Sequence, residues 1–253
     1  MPKKRVSLTL DEEIVRKLDR EAGNYDVNRS QMMEKVIDNY FQAKGLDTAV
    51  ILCGDEENKT LTLHEGKPVL SHIIEHIAKE GIKRAILIAG NNRDKIEPNF
   101  GSKHEGITLE YIEENSPKGT ASALLKAEEK IGNTFVTLNG HVISDVDFKE
   151  MLETHREEEG PATVALTTAE DASNYGVVTM KGRKVLGFQE KPSKPNTRLI
   201  NAGTYILEPE IFSKVEETGE NDLEEVFREL ANESRMNGYI YGGAWKDISQ
   251  TVD

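Results

Sequence analysis

The sequence predicts an α/β protein: a large, mostly parallel sheet flanked by helices, preceded by a small βαα head. Three observations carry this. From Thr48 onward, near-continuous apolar runs alternate with amphipathic helical stretches, the pattern of strands buried on both faces. The first 45 residues read instead as one alternating strand and two short helices. Charge divides at the same place: residues 1–46 hold nine Lys/Arg and eight Asp/Glu, whereas the remainder holds 23 against 37, giving a net charge of −13 over 253 residues. The head is therefore expected to span 1–45 and the body 46–253.

Composition, at 37% hydrophobic and 30% charged, is that of a globular chain. The longest apolar runs, such as Thr48–Cys53, fall far short of the ~20 residues a bilayer span requires. Basic residues open the chain without an apolar stretch behind them, so no signal peptide is read. The single Cys53 forms no internal disulfide, and no Cys/His spacing suggests zinc. These features predict a cytoplasmic protein without a membrane partner.

In the head, Val6, Leu8 and Leu10 alternate with Arg5, Ser7 and Thr9, a half-buried strand across 3–10. Asp11 is placed to cap a helix carrying Ile14, Val15, Leu18 and Ala22, which Gly23-Asn24 should stop. A second helix starts at Asn28 or Ser30 and carries Met33, Val36, Ile37, Tyr40 and Phe41 on one face. So few residues sit near the lower limit for an independent core, and a lone strand has two unpaired edges. Both problems vanish if two chains pair their strands.

The run Lys3-Lys4-Arg5-Val6-Ser7-Leu8-Thr9-Leu10-Asp11, a helix, and a turn into Asn28-Arg29-Ser30 resembles the ribbon-helix-helix family of repressors. The alternation alone would also suit an ordinary edge strand, but the full order at the N-terminus is more specific. The resemblance implies a homodimer on double-stranded DNA, with tetramers as the higher assembly to consider. Arg5, Ser7 and Thr9 would face base edges in the major groove. Asn28, Arg29 and Ser30 would clamp a phosphate at a helix start. A head that only dimerises the chain is the competing reading.

In the body, strands are expected at Thr48–Cys53, Arg84–Ala89, Thr108–Ile112, Phe135–Asn139 and Ala162–Thr167. Helices are expected at Pro68–Glu80, Thr120–Ile131 and Asp147–Glu158. Several segments in order resemble the sugar-phosphate nucleotidyltransferases. They include Ala49-Val50-Ile51-Leu52-Cys53-Gly54, Gly66-Lys67-Pro68-Val69-Leu70, Pro117-Lys118-Gly119-Thr120-Ala121 and Leu138-Asn139-Gly140-His141. Further on come Tyr175-Gly176-Val177-Val178, Phe188-Gln189-Glu190-Lys191-Pro192, Asn201-Ala202-Gly203-Thr204-Tyr205-Ile206 and Trp245-Lys246-Asp247-Ile248. The resemblance implies a Rossmann-like sheet whose ligand lies beyond the carboxyl ends of the strands.

It also implies a site. Glu190 and Lys191 would meet a sugar ring and its phosphate, with Tyr175, Gly176, Asn201 and Gly203 completing that pocket. Gly119 and Thr120 would lie where nucleobase and sugar meet, and Gly54, Asn139, His141 and Asp247 would line the remainder. Glycine and asparagine can also persist merely because turns need positive φ, so inheritance of scaffold is the bland alternative.

Two departures argue against catalysis. Family members wrap the triphosphate in a Gly-rich loop bearing Arg and Lys. Here the span from Gly54 to Gly66 is shorter, carries Lys59 but no Arg, and opens with Asp55, Glu56 and Glu57, which repel polyphosphate. The family's Asn-Gly-Asp motif, which holds Mg²⁺ with a late aspartate matching Asp247, reads Asn139-Gly140-His141, and an imidazole is a poor ligand for that ion. Asp145 is the nearby substitute to consider. No catalytic residue and no metal site are assigned, and Mg²⁺ belongs only to the reading in which the enzyme is active. No left-handed β-helix extension follows Asp247, so acetyl transfer is not expected.

The leading expectation is a transcription regulator whose degenerate body senses a nucleotide, sugar phosphate or nucleotide sugar. The alternatives are an active sugar-1-phosphate nucleotidyltransferase dimerised by its head, and a ligand-free body that spaces DNA-binding heads.

Overall fold

A computed structural model describes residues 6–43, 45–54, 58–114, 118–158 and 160–250, with side chains described except at 38–43 and 250. Arg5, the Asp55-Glu56-Glu57 run and Pro117 lie outside the described residues. The chain divides into two compact units, 1–45 and 46–253.

In the first unit, α1 (Glu12–Asn24) and α2 (Arg29–Ala43) pack through Leu18, Ala22 and Met32, with Leu10, Val27 and Met33 beside them. The expected stop at Gly23-Asn24 holds. The helix ends at Asn24, and Asp26 takes the left-handed conformation at φ 52°. Val27 N–H then reaches Ala22 O and Asp26 N–H reaches Gly23 O, a Schellman closure built on aspartate rather than glycine. At α2, Asn28 N–H donates to Gln31 Oε1 (2.9 Å) and Gln31 N–H donates to Asn28 Oδ1 (3.0 Å), a reciprocal capping box. Asp11 sits at the head of α1 without a side-chain cap.

Residues 6–10 form no strand, contrary to the alternation. A β-strand is defined by ladder hydrogen bonds to a neighbour, and the single chain supplies none here. Val6 and Leu8 accordingly remain 71% and 61% exposed. Of the apolar face expected on α2, Met33 packs against Leu18, Ala22 and Met32, whereas Val36 and Ile37 are exposed.

The second unit begins with β1 (Thr48–Leu52), β2 (Leu63–His64), β3 (Lys67–Pro68), α3 (Val69–Lys79) and β4 (Arg84–Gly90). It continues through α4 (Arg93–Phe100), β5 (Lys103–His104), β6 (Ile107–Glu113), α5 (Thr120–Leu125), β7 (Phe135–Asn139) and β8 (Val142–Ser144). Then follow α6 (Phe148–Glu157), β9 (Ala162–Thr168), β10 (Gly176–Lys181), β11 (Lys184–Glu190) and β12 (Leu199–Leu207). The last elements are α7 (Glu210–Thr218), α8 (Leu223–Asn232), β13 (Met236–Ile240) and β14 (Trp245–Asp247). The stretch 120–131 is not one helix: after Leu125 it tightens into a 3₁₀ turn at Glu128–Lys130.

Ten strands form one sheet in the order β10-β11-β13-β9-β12-β7-β1-β4-β6-β5. The expectation of a mostly parallel sheet holds for one half only. β6, β4, β1 and β7 run parallel, whereas β12 lies antiparallel between β7 and β9, and β10 and β11 form an antiparallel pair. The antiparallel half is built from hairpins and returns that need no crossover helix, so helix–strand alternation predicts it poorly. Apolar side chains cover both faces: Ile51, Leu87 and Val136 on one, Val50, Ile86 and Phe135 on the other. In the parallel half, β1 lies between β4 on one side and β7 on the other. Strand order therefore reverses at β1, opening a crevice beyond the carboxyl ends of β1 and β7.

Candidate functional site

That crevice is a cleft of about 340 Å³, and all twelve positions assigned above to a ligand site line it. They arrive from seven segments of the body, far apart in sequence.

Gly54 follows β1, where Cys53 N–H bonds Ile88 O at 2.8 Å. Asn139 ends β7, and Gly140 N–H holds Leu52 O at 2.8 Å, fixing the two diverging strand ends. His141 follows, and its carbonyl accepts Ile248 N–H at 3.0 Å, which brings the ribbon of β8 and β14 to the rim. Asp247, whose side chain is 9% exposed, accepts Ser249 N–H at 2.7 Å and lies 4.0 Å from His141 Nε2.

Gly119 and Thr120 open α5 against the start of α8. Gly119 sits at φ 145°, and a Cβ there would fall 2.3 Å from Asp222 Oδ1, so only glycine allows this approach. Thr120 N–H donates to Asp222 Oδ1 (3.3 Å), its hydroxyl donates to Glu224 Oε2 (3.4 Å), and that hydroxyl accepts Leu223 N–H (2.9 Å).

Opposite, Tyr175 precedes β10 and Gly176 begins it. Tyr175 O accepts Lys191 N–H (3.1 Å), joining that turn to the end of β11, where Glu190 lies. Lys191 has φ 41°, an uncommon conformation for a lysine, and its ammonium lies 3.7 Å from Glu190 Oε1. Asn201 and Gly203 occupy a bulge in β12. Asn201 donates to Tyr205 OH (2.7 Å) and accepts Gly203 N–H (2.9 Å), while a Cβ on Gly203, at φ 72°, would fall 3.0 Å from Asn139 Nδ2. Scaffold demand thus accounts for Gly119 and Gly203. It does not account for the charges of Glu190 and Lys191.

Several lining residues went unassigned from sequence. Trp245 donates Nε1–H to Ala202 O (3.1 Å) and stands edge-on to Tyr175 with centroids 5.2 Å apart. Asp222 and Glu224 come from a helix start about one hundred residues beyond Gly119. No local pattern marks them, since only the fold brings them together. Glu114, just past β6, is 6% exposed and also lines the cleft. Burial pushes the carboxyls of Glu114, Glu190 and Glu224 above the usual range, with Lys191 partly opposing this at Glu190.

Asp145 does not reach the cleft. It is exposed and lies beside Gly243 and Tyr241. His141 and Asp247 thus offer an imidazole and one carboxylate, a donor set that does not fit an octahedral Mg²⁺ seeking oxygen. Among the described residues no group of three His, Cys, Asp or Glu is placed to hold a metal. Lys59, the loop's cation, donates instead to Ser249 O at 3.3 Å.

In the head, Ser7 and Thr9 are exposed, as are Asn28, Arg29 and Ser30. Arg29 grips Asp19 with two N–H groups, both at 2.6 Å, and Asn28 is engaged in the capping box.

A doubly wound core with its cleft at the switch point is the architecture of the nucleotidyl transferases. The chain belongs to the nucleotidyl transferase family, whose model matches residues 28–253. A second family model, that of ribbon-helix-helix proteins of the copG family, matches residues 4–42, so the chain joins a head of that type to a nucleotidyl transferase body. It is similar to mannose-1-phosphate guanylyltransferase 1 of Arabidopsis thaliana, 33% identical over 204 residues covering 77% of this chain and 56% of that protein. Similarity extends to the bifunctional protein GlmU of Methanocaldococcus jannaschii, at 28% identity, covering 81% of this chain and 52% of that one. The chain thus spans little more than half the length of these curated relatives. In fold it resembles a UDP-glucose pyrophosphorylase from Acinetobacter baumanii, with TM-score 0.70 at 18% identity, covering 80% of this chain and 88% of that one.

Proposed function

We propose that the chain is a DNA-binding transcription regulator whose body is a nucleotidyltransferase without catalysis, retained to sense a sugar phosphate, nucleotide or nucleotide sugar. One observation carries the reading: the sugar-side positions converge on a well-formed cleft, whereas Lys59, the cation of the shortened loop, is not among its lining residues and donates to the backbone carbonyl of Ser249 at its edge. The names of the relatives, guanylyltransferase and pyrophosphorylase among them, support ligands of this class. The ribbon-helix-helix match supports a homodimer on double-stranded DNA. Ser7 and Thr9, with Arg5, are the base-facing candidates; Asn28 and Gln31 N–H are taken up in the capping box, which leaves the N–H groups of Arg29 and Ser30 as the ones suited to phosphate. Arg29 would have to leave Asp19 to join them.

The short connection between the units, Ala43 to Asp47, leaves little slack for independent movement. Regulation then requires that the ligand bind DNA-competent and incompetent arrangements with different affinity. The test has two arms. Purified protein is screened for pyrophosphate release with nucleoside triphosphates and sugar 1-phosphates, with Mg²⁺ or Mn²⁺. The same compounds are then added to a DNA-binding assay on a selected operator. No release, together with a ligand-dependent change in operator affinity, supports the reading. Turnover above a Lys191→Ala control would make the chain an active enzyme with a dimerising head. Operator affinity unchanged under every compound would sink the sensor.

A further inference from the structure

The helices of the head carry an unfavourable charge balance for a polyanion. Residues 6–43 hold five Lys/Arg against eight Asp/Glu, so beyond the basic tip at 3–5 this stretch is net negative. DNA affinity comes largely from cations that meet phosphates, which makes the engagement of each helical cation decisive. Arg16 and Lys17 lie one turn from Glu12 and Glu13, at 3.5 and 2.8 Å, on an open face of α1. Lys35 stands 3.9 Å above the Tyr25 ring.

Arg29 is held differently. Its Nε–H donates to Asp19 Oδ1 and its Nη2–H to Asp19 Oδ2, both at 2.6 Å, a two-pronged contact from α2 back to α1. Planar bidentate pairing of this kind is how a guanidinium grips a phosphate as well as a carboxylate. The Asp19 carboxylate therefore fills the donor edge that a DNA phosphate would use. Arg29 is also the first residue of α2, next to the N–H groups proposed above to meet such a phosphate. The pair is open to an incoming anion, since the two side chains are 54% and 47% exposed. Exposed ion pairs are weak, so the guanidinium can change partners. Protonation does not release it near neutral pH, because the hydrogen bonds from Arg29 hold the Asp19 carboxyl below its usual range.

We propose that Asp19 is an intramolecular competitor with DNA phosphate for the Arg29 guanidinium, and that it sets how firmly the head holds a DNA backbone. This rests on the head binding DNA, as proposed above, and names a residue that governs that binding without touching the nucleic acid. On a duplex the guanidinium leaves one anion and closes on another, and Asp19 returns to water. Each head then gains only the difference between the two contacts rather than the whole of one.

Fluorescence anisotropy of the full chain on labelled duplexes tests it, using an operator selected from a random library and a duplex of random sequence, each across a salt series. Asp19→Asn keeps the size of the side chain and removes its charge. It should bind both duplexes about three- to fivefold more tightly per head, the scale on which exposed pairs act. The slope of log affinity against log salt should steepen by about one for each head. In an Arg29→Gln background the same substitution should gain nothing, because the cation it releases is gone. Asp26→Asn controls for the loss of one negative charge and should gain less, since Asp26 has no ion pair among the described residues. Asp19→Ser takes its place should Asp19→Asn lose helical circular dichroism. Unchanged or weaker binding by a folded Asp19 variant overturns the inference and leaves the pair a fastening between α1 and α2. A gain that survives Arg29→Gln, or that Asp26→Asn matches, overturns it as well. No binding by any form at any salt removes DNA from the reading of the head, and the inference with it.

Discussion

The two units of this chain differ in whether one copy is enough. The body buries large side chains on both faces of its sheet, Phe135, Phe188, Tyr205, Phe212 and Phe227 on one and Ile51, Leu70, Leu87 and Phe148 on the other, all at 2% exposure or less. The head buries Leu18, Ala22 and Met32 and leaves Val6, Leu8, Ile14, Val36 and Ile37 exposed at 40% or more. Apolar area removed from water is the main favourable contribution to folding. The body therefore carries its own stability, while the head displays the surface of an unfinished core.

Four measurements sharpen or break that contrast. Phe227 packs against Tyr205, with centroids 4.9 Å apart, and against Phe188 at 6.1 Å. Phe227→Ala should cost about 3–5 kcal/mol in denaturant unfolding of the body, the range for large buried aromatics. A loss under 1 kcal/mol would mean that this face is not a packed core. Leu8→Asp should cost about 1.5–3 kcal/mol per chain, the worth of one buried leucine, and only in association. Sedimentation should show the proposed dimer dissociating with the body's unfolding unchanged. Asn28→Ala removes half of the capping box and should cost α2 about 1 kcal/mol, read as lost amide-exchange protection confined to the head. The smallest effect is in pH. Burial holds His76 below its usual range, where its Nε2 meets Val146 O at 3.0 Å. A depressed folded-state value means that this stability is present above the unfolded value near 6.5 and is lost as pH falls through the lowered one. Melting midpoints should decline from pH 7 toward 5, and His76→Gln should flatten the decline.

Sequence patterns reached the parallel half of the sheet because apolar runs and helices alternate there. They missed the antiparallel half because β10 to β12 are joined without helices. The cleft was legible where a residue type is itself unusual for its place, as with the charges of Glu190 and Lys191. It was not legible at Asp222, Glu224 and Glu114, whose role depends on burial and on partners distant in sequence. The head shows the converse: its alternation at 6–10 reads as a strand, yet one chain alone gives that segment nothing to pair with. The stop at Gly23-Asn24 was legible, but not that Asp26, at φ 52°, would supply the left-handed residue of the closure.

The position of β13 bears on how the protein is made. Met236–Ile240 does not add to an edge but inserts between β9 and β11, pairing in parallel with Ala162–Leu166 and touching β11 at Lys184. β10 meets β12 at Val177, but the gap between β9 and β11 cannot be filled until nearly the whole body has left the ribosome, and such long-range closure is slow. The head needs only contacts made within its first few dozen residues. In the proposed dimer, two nascent chains on one message would join heads while their bodies are still open at β9, so that subunits are chosen before the cleft exists.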